Sequence, residues 1–204
     1  MTYSIELKNV SKKYGDRIIL RELNFIFNND HIYIIFGENG CGKSTLLNIL
    51  SKYDTDYKGS YNCNSLRIAY LMQEDLLFRN LTVKENLILQ LKALKNNCDY
   101  RKIDTVASKL GLLDFLESKV SELSGGEKKK VSIAQIILME ADIILLDEPT
   151  ANIQKEYAKE LLNIIYEEFK DKILIIASHD NLYKNSDRHF VRIELKEGRI
   201  QYGV

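Results

Sequence analysis

The sequence predicts an α/β fold: a mostly parallel sheet flanked by helices, preceded by an antiparallel β subdomain and interrupted by an inserted helical subdomain. Three observations lead there. Short, nearly continuous apolar runs at 32–36, 68–72, 143–146 and 173–177 suit strands buried on both faces. Helical stretches separate several of these runs, and that alternation implies a layered α/β architecture. The first thirty residues differ, mixing apolar and polar positions in turn.

Taken in order, residues 3–8 alternate as a half-buried strand does, and 17–27 mix alternation with an apolar stretch. The YGDR between them reads as a turn, so the start is expected to be antiparallel. The run at 32–36 is followed by a helix over 43–50, and 68–72 is the next buried strand. The pattern then changes: 82–94, 102–110 and 125–139 all read as helices, with 95–101 the most loop-like stretch. A helix over 154–169 lies between the last two apolar runs, with Leu161, Leu162, Ile164 and Ile165 at helical spacing. Residues 190–195, KEGR and 200 onward read as a β-hairpin. The expected organisation is one domain over 1–204, with a core of 1–77 and 140–204 and a helical subdomain over 78–139.

Of the 204 residues, 45% are hydrophobic and 28% charged, enough for a sizeable core. Lys+Arg and Asp+Glu are both 29, so no net field draws the chain to nucleic acid, and no nucleic-acid partner is expected. Cys41, Cys63 and Cys98 have no metal-like spacing and read as free thiols. No apolar stretch approaches the ~20 residues that span a bilayer, and the N-terminus has no signal-peptide core. The expected location is the cytoplasm, with any membrane-spanning part supplied by another chain.

Two motifs carry chemistry. Gly37, Glu38, Asn39, Gly40, Cys41, Gly42, Lys43, Ser44 and Thr45 match G-x-x-x-x-G-K-[ST], between a buried strand and a helix. Glycines let the backbone N–H groups turn inward as an anion cradle, and the following helix adds its positive end. Lys43 would hold β- and γ-phosphates and Ser44 would ligate Mg²⁺. This makes the core that of a P-loop NTPase. A second motif, ILLDEPTAN at 144–152, ends an apolar run in two acids before the only proline, Pro149. Asp147 fits the metal-side carboxylate such a protein needs. Glu148 is left to orient the attacking water. Pro149, lacking an N–H, marks where strand pairing stops, and it is expected to bias Glu148 towards extended backbone.

LSGGE at 123–127 opens the third helix of the insertion. On the residues alone, Ser124 with Glu127 reads most simply as a capping box. Together, however, GENGCGKST, LSGGE and IILLDEPT resemble the Walker A, signature and Walker B motifs of ABC transporter ATP-binding subunits, in order and over nearly the whole chain. The resemblance implies ATP and Mg²⁺ as ligands. It also implies roles for residues that single-site reasoning passes over. Tyr14 matches the aromatic that stacks on adenine. Gln73 matches the glutamine that contacts Mg²⁺ and senses the transport partner. His179 matches the switch histidine at the γ-phosphate, whereas His31 and His189 read as structural. Ser124, Gly125 and Gly126 would close over ATP held by a second subunit. The implied assembly is a head-to-tail homodimer, or a heterodimer with a related ATPase, seated on an ABC permease at the inner face of the membrane. Leu76, Leu77 and Phe78 are expected to receive a cytoplasmic helix of that permease, with core packing the equal alternative.

Departures from the family pattern qualify this. Gln154 stands where an aspartate is usual, which removes a charge from the link between the two sites. Lys128, Lys129 and Lys130 read as a solvated face. The segment 43–73 is shorter than usual, so part of the antiparallel subdomain or a strand connection is expected to be trimmed. EPTAN resembles the lipoprotein, macrolide and bacteriocin exporters and points to export. The competing function is a soluble ABC ATPase of translation control or DNA maintenance; tandem cassettes, coiled-coil insertions and basic arms, usual in those proteins, are not visible here.

Overall fold

Alternation over the first thirty residues produces two long antiparallel strands, β1 (Ser4–Tyr14) and β2 (Arg17–Asn28), joined at Gly15–Asp16. The structure, a computed structural model, describes residues 3–93, 99–151, 153–179, 183 and 189–202. Cys98 and Asn152 lie outside these residues, as does the greater part of the loop-like stretch 95–101. The described chain forms two compact units. One comprises Met1–Tyr70, Asp142–Glu148 and Phe169–Val204; the other comprises Leu71–Ala141 and Pro149–Glu168.

In the first unit, β3 (Ile32–Phe36) leads through the glycine-rich loop into α1 (Lys43–Leu50). A further strand, β4 (Lys58–Asn62), pairs antiparallel with β1 and completes a three-stranded sheet of order β2-β1-β4. The short 43–73 segment therefore keeps a third strand. A second, six-stranded sheet follows, of order β5-β6-β7-β3-β8-β9, with β5 at Ile68–Leu71, β6 at Ile143–Asp147, β7 at Ile173–Ala177, β8 at Val191–Lys196 and β9 at Arg199–Tyr202. β6, β7, β3 and β8 run parallel, and β8 turns back antiparallel into β9. This is the α/β fold of P-loop NTPases with an N-terminal antiparallel sheet.

The two sheets of this unit share one apolar core. Ile5, Leu7, Val10, Leu20, Phe25 and Phe27 join Leu46, Leu47, Ile49 and Leu50 of α1 and Ile35, Leu145 and Ile175 of the parallel strands. Phe27 is fully buried, and its ring meets Tyr33 edge-on at 4.9 Å and Phe25 at 4.5 Å. Removing such rings from water supplies roughly 1.5–3 kcal/mol each. The apolar residues of β1 and α1 thus belong to one buried cluster with the parallel strands.

The second unit contains α2 (Val83–Ala93), α3 (Arg101–Lys109), α4 (Gly125–Leu138) and α5 (Lys155–Glu168). α2, α3 and α4 contact one another, and Val83, Leu87, Ile103, Val106, Val131 and Ala134 on them are buried. Thr82 and Glu85 form a reciprocal cap at the start of α2, with Thr82 N–H donating to Glu85 Oε2 at 2.7 Å and Glu85 N–H to Thr82 Oγ1 at 3.1 Å. Asn86 is fully buried because its amide satisfies the chain entering that helix: Oδ1 accepts from Phe78 N–H, and Nδ2 donates to Phe78 O and Thr82 O.

The β8–β9 hairpin turns in two residues, Glu197 and Gly198, both at positive φ (50° and 76°), as a type I′ turn requires. Gly198 O accepts from Arg21 N–H at 2.8 Å, and a Cβ at Gly198 would sit 2.5 Å from Ile19 O. Gly198→Ala should therefore destabilise the protein by about 1–3 kcal/mol, read as a lower urea midpoint with an unchanged slope.

Candidate functional site

Parallel pairing decides where the chemistry gathers. β3, β7 and β6 lie side by side in register, with Ile35 opposite Ala177 and Ala177 opposite Asp147. Their carboxyl ends therefore open at one sheet edge, the usual place for ligands in open α/β sheets. The first unit delivers three segments there: Gly37–Thr45 after β3, Asp147 and Glu148 at the end of β6, and Ser178 and His179 after β7.

The loop after β3 is held from within. Lys43, buried at 7% exposure, donates from Nζ to Gly37 O at 2.8 Å and Glu38 O at 3.3 Å. Cys41 N–H donates to Glu38 O at 3.2 Å, and Cys41 is a half-buried free thiol. Gly42 takes φ 111° immediately before α1, and a Cβ there would come within 3.0 Å of Ile19 and Leu20, so the last turn of the loop needs glycine. No side chain among the described residues caps α1, and its first turn carries no acid. Glu38, Asn39, Gly40 and Ser44 are exposed, and Thr45 is half-buried. An uncapped helix start beneath an exposed loop, with a lysine ammonium folded against it, fits an anionic phosphate chain.

Asp147 closes β6 at 2% exposure. Burial, and then the Asp147 charge, push the Tyr70 phenol above its ordinary range. Tyr70 Oη in turn donates to Asn48 Oδ1 at 3.1 Å on α1. A hydroxyl at Ser44 and a carboxylate at Asp147 are hard oxygen donors of the kind Mg²⁺ takes. Among the described residues there is no group of three His, Cys, Asp or Glu side chains that could enclose a metal.

Glu148 corrects an expectation. Its backbone is not extended but left-handed, at φ 49°. The reason is tertiary. Its N–H donates to Ala177 O at 3.0 Å, continuing the pairing beyond the strand. Its carboxylate folds onto the end of β7: Oε1 accepts from His179 N–H at 3.1 Å and lies 2.6 Å from His179 Nδ1, and Oε2 accepts from Ser178 Oγ at 3.2 Å. Those bonds outweigh the usual conformational preference of a residue before proline. Ser178, fully buried, is a participant the sequence reading missed; its position beside His179 in ASHD was the available signal.

Tyr14 ends β1 half-exposed, its hydroxyl donating to Asp54 Oδ2 at 3.0 Å. His31 and His189 are exposed and away from these segments in sequence; His31 pairs with its neighbour Asp30.

The remaining predicted residues belong to the second unit. Gln73 is exposed, just beyond β5. Ser124 caps α4 in a full capping box: its hydroxyl accepts from Glu127 N–H at 3.3 Å, and its own N–H donates to Glu127 Oε2 at 2.7 Å. Ser124 and Gly125 are exposed, and the space around Gly125 and Gly126 is open. Lys129 corrects a second expectation. It does not join a solvated face but is buried, at 4% exposure. Nζ lies 2.9 Å from Asp75 Oδ1 and donates to Gln73 O at 3.3 Å, while Ser132 Oγ donates to the same Asp75 oxygen at 2.9 Å. α4 therefore grips the Gln73–Asp75 segment directly.

A phosphate-fitting loop and a carboxylate–histidine pair at the carboxyl edge of a parallel sheet define the class, a P-loop nucleotide-binding protein. Comparison with known proteins narrows it. A family model described as ABC transporter matches residues 20–151. The thiamine import ATP-binding protein ThiQ of Haemophilus influenzae is 34% identical over 206 residues, covering 93% of this chain and 96% of that one. The macrolide export ATP-binding/permease protein MacB of Bdellovibrio bacteriovorus is 28% identical over 97% of this chain, which spans only 33% of that protein. Among solved structures, a dimeric bacterial ABC transporter cassette superposes with TM-score 0.85 at 26% identity, covering 97% of this chain and 96% of that one. The same cassette after hydrolysis, bound to ADP and Pi, gives 0.84 at 25% identity and the same coverage. The chain belongs to the ABC transporter family, as an ATP-binding subunit.

Lys129→Met would strand the Asp75 carboxylate against α4. It should lower stability by about 2–3 kcal/mol, and in hydrogen exchange it should deprotect 72–78 before the rest of the second unit.

Proposed function

We propose that this chain is the ATP-hydrolysing motor of a membrane transporter, closing head to tail on a second copy, or on a related ATPase, when ATP binds. The observation that carries the proposal is the in-register pairing of β3, β7 and β6, whose carboxyl ends lie side by side and carry the Glu148–His179 contact, with Lys43 on the loop that follows β3. Gly37–Thr45 hold the phosphates through main-chain N–H groups and Lys43. Ser44 and Asp147 would hold Mg²⁺; Gln73 is assigned to the metal on the family resemblance alone. When bound, ATP would supply the γ-phosphoryl group and Mg²⁺ would neutralise charge on the phosphate oxygens. Glu148 orients the attacking water and accepts its proton, since donors from Ser178 and His179 fix the direction of its carboxylate. His179, 60% exposed in its side chain, would contact the γ-phosphate. Tyr14 stacks on the base. Ser124, Gly125 and Gly126, open on their outer face, complete the site of the opposing copy.

The likeness to a dimeric cassette and to its ADP- and Pi-bound form supports this cycle. We assign residues 78–139 as the helical subdomain within a single 1–204 domain. Leu76 and Phe78, 71% and 61% exposed beside Gln73, form the surface proposed to seat a cytoplasmic helix of the permease. No helix among the described residues is long and apolar enough to cross a membrane, so the spanning part belongs to the partner in this reading. Of the relatives above, one is named for import and one for export. Export is the direction we propose, on the resemblance of residues 148–152 to exporters.

Glu148→Gln tests the assignment. ATP should still bind, the purified variant should accumulate as an ATP-dependent dimer, and hydrolysis should fall by roughly 10²-fold or more; turnover at the wild-type rate would remove Glu148 from the chemistry. A second check uses Cys41. Alkylation of the loop thiol should abolish ATPase activity, and prior ATP should slow both the labelling and the loss.

A further inference from the structure

Lys12 is a lysine buried to 4% exposure that the proposed mechanism does not use. Burial alone would lower its pKa, but hydrogen bonds to Asp54 and Asp56 override that and hold it above the ordinary lysine value. Nζ donates to Asp54 Oδ1 at 2.9 Å, to Asp56 Oδ2 at 3.3 Å and to the Asp56 carbonyl. The same ammonium lies 4.8 Å from the centroid of the Tyr14 ring, in a cation–π contact. Asp54 is fixed in turn. Its N–H donates to Asn48 O at 3.0 Å, Oδ1 also accepts from Asp56 N–H at 3.0 Å, and Oδ2 accepts the Tyr14 hydroxyl at 3.0 Å. Burial pulls the Tyr14 phenol up first, and its hydrogen bond to Asp54 adds to that against Lys12 and Thr45.

A half-exposed tyrosine at a strand end normally samples several rotamers. Here its hydroxyl is tied to a carboxylate and one ring face lies against a cation. We propose that Asp54 and Lys12 are positioning residues that lock the Tyr14 ring edge and one ring face, leaving the opposite face set for the planar base of a bound nucleotide. The proposal rests on the reading of Tyr14 as the base-stacking residue. It differs from stacking alone in one respect: the Tyr14 hydroxyl matters, although it touches no ligand. Locking the ring before binding removes an ordering cost that a free side chain would bear on association.

The test is calorimetric binding of a non-hydrolysable ATP analogue and, separately, of inorganic tripolyphosphate, to the full chain. Tyr14→Phe and Asp54→Ala should each weaken the analogue by about 3- to 10-fold and leave tripolyphosphate unchanged. Asp54→Asn, which keeps an oxygen for the phenol, should recover most of the loss. If both variants bind the analogue as wild type while Tyr14→Ala weakens it, the ring stacks without a brace and the inference fails alone. If Tyr14→Ala also binds as wild type, the base-stacking reading falls and takes the inference with it. Equal losses for analogue and tripolyphosphate in Asp54→Ala would make the defect one of the phosphate loop, which also overturns the proposal. Tyr14→Phe keeps the question answerable should Asp54→Ala fail to fold.

Discussion

The parallel hydrogen-bonded register of β3, β7 and β6 is the constraint on which the site depends. None of Lys43, Asp147, Glu148 or His179 is near another in sequence except the adjacent acids. The segments that carry them start side by side because Ile35, Ala177 and Asp147 stand opposite one another across three strands. A one-residue slip of β7 would turn the end of that strand to the other face and move Ser178 and His179 away from the Glu148 carboxylate. The apolar side chains on these strands specify the register, so the core and the chemistry are set by the same residues. Ser178 N–H donating to Ile35 O at 3.0 Å extends this pairing one step past the strand, to the point where structure gives way to function.

Much of this was legible in the sequence, and for a physical reason. Strands buried on both faces must be continuously apolar, and the runs at 32–36 and 173–177 coincide with β3 and β7. Helices that bury one face keep their spacing, and α1, α4 and α5 lie within a residue of where periodicity puts them. β4 was not legible. KGSYN is exposed at four of five positions, sits at a sheet edge and exists because β1 offers it a partner. Its pattern carries no periodic signal.

The same distinction holds at the site. The glycine-rich loop and the Asp147–Glu148 pair are contiguous, so the sequence alone displays them as motifs. It does not display contacts between distant residues. Lys129 looks like one of three solvated lysines until Asp75, 54 residues earlier, is placed beside it. Lys12 and Asp54 are as ordinary in sequence as any surface pair. The capping box at Ser124 shows that a simple reading and a functional one can share a residue: the cap uses the Ser124 hydroxyl as an acceptor and leaves Gly125 and Gly126 with an open outer face.

The left-handed backbone at Glu148 sets the fold and the chemistry against each other. An L-residue with a long side chain at φ 49° carries about 1–2 kcal/mol of steric cost that glycine would not. Drift towards thermal robustness alone would favour losing the acid here, as proteins near their stability threshold accept any tolerated gain. At this φ the Glu148 carboxylate accepts from Ser178 and His179 at the end of β7. In this family member, the residue proposed to act on water is also a standing weakness in the scaffold, offset by three donors that a smaller side chain could not reach.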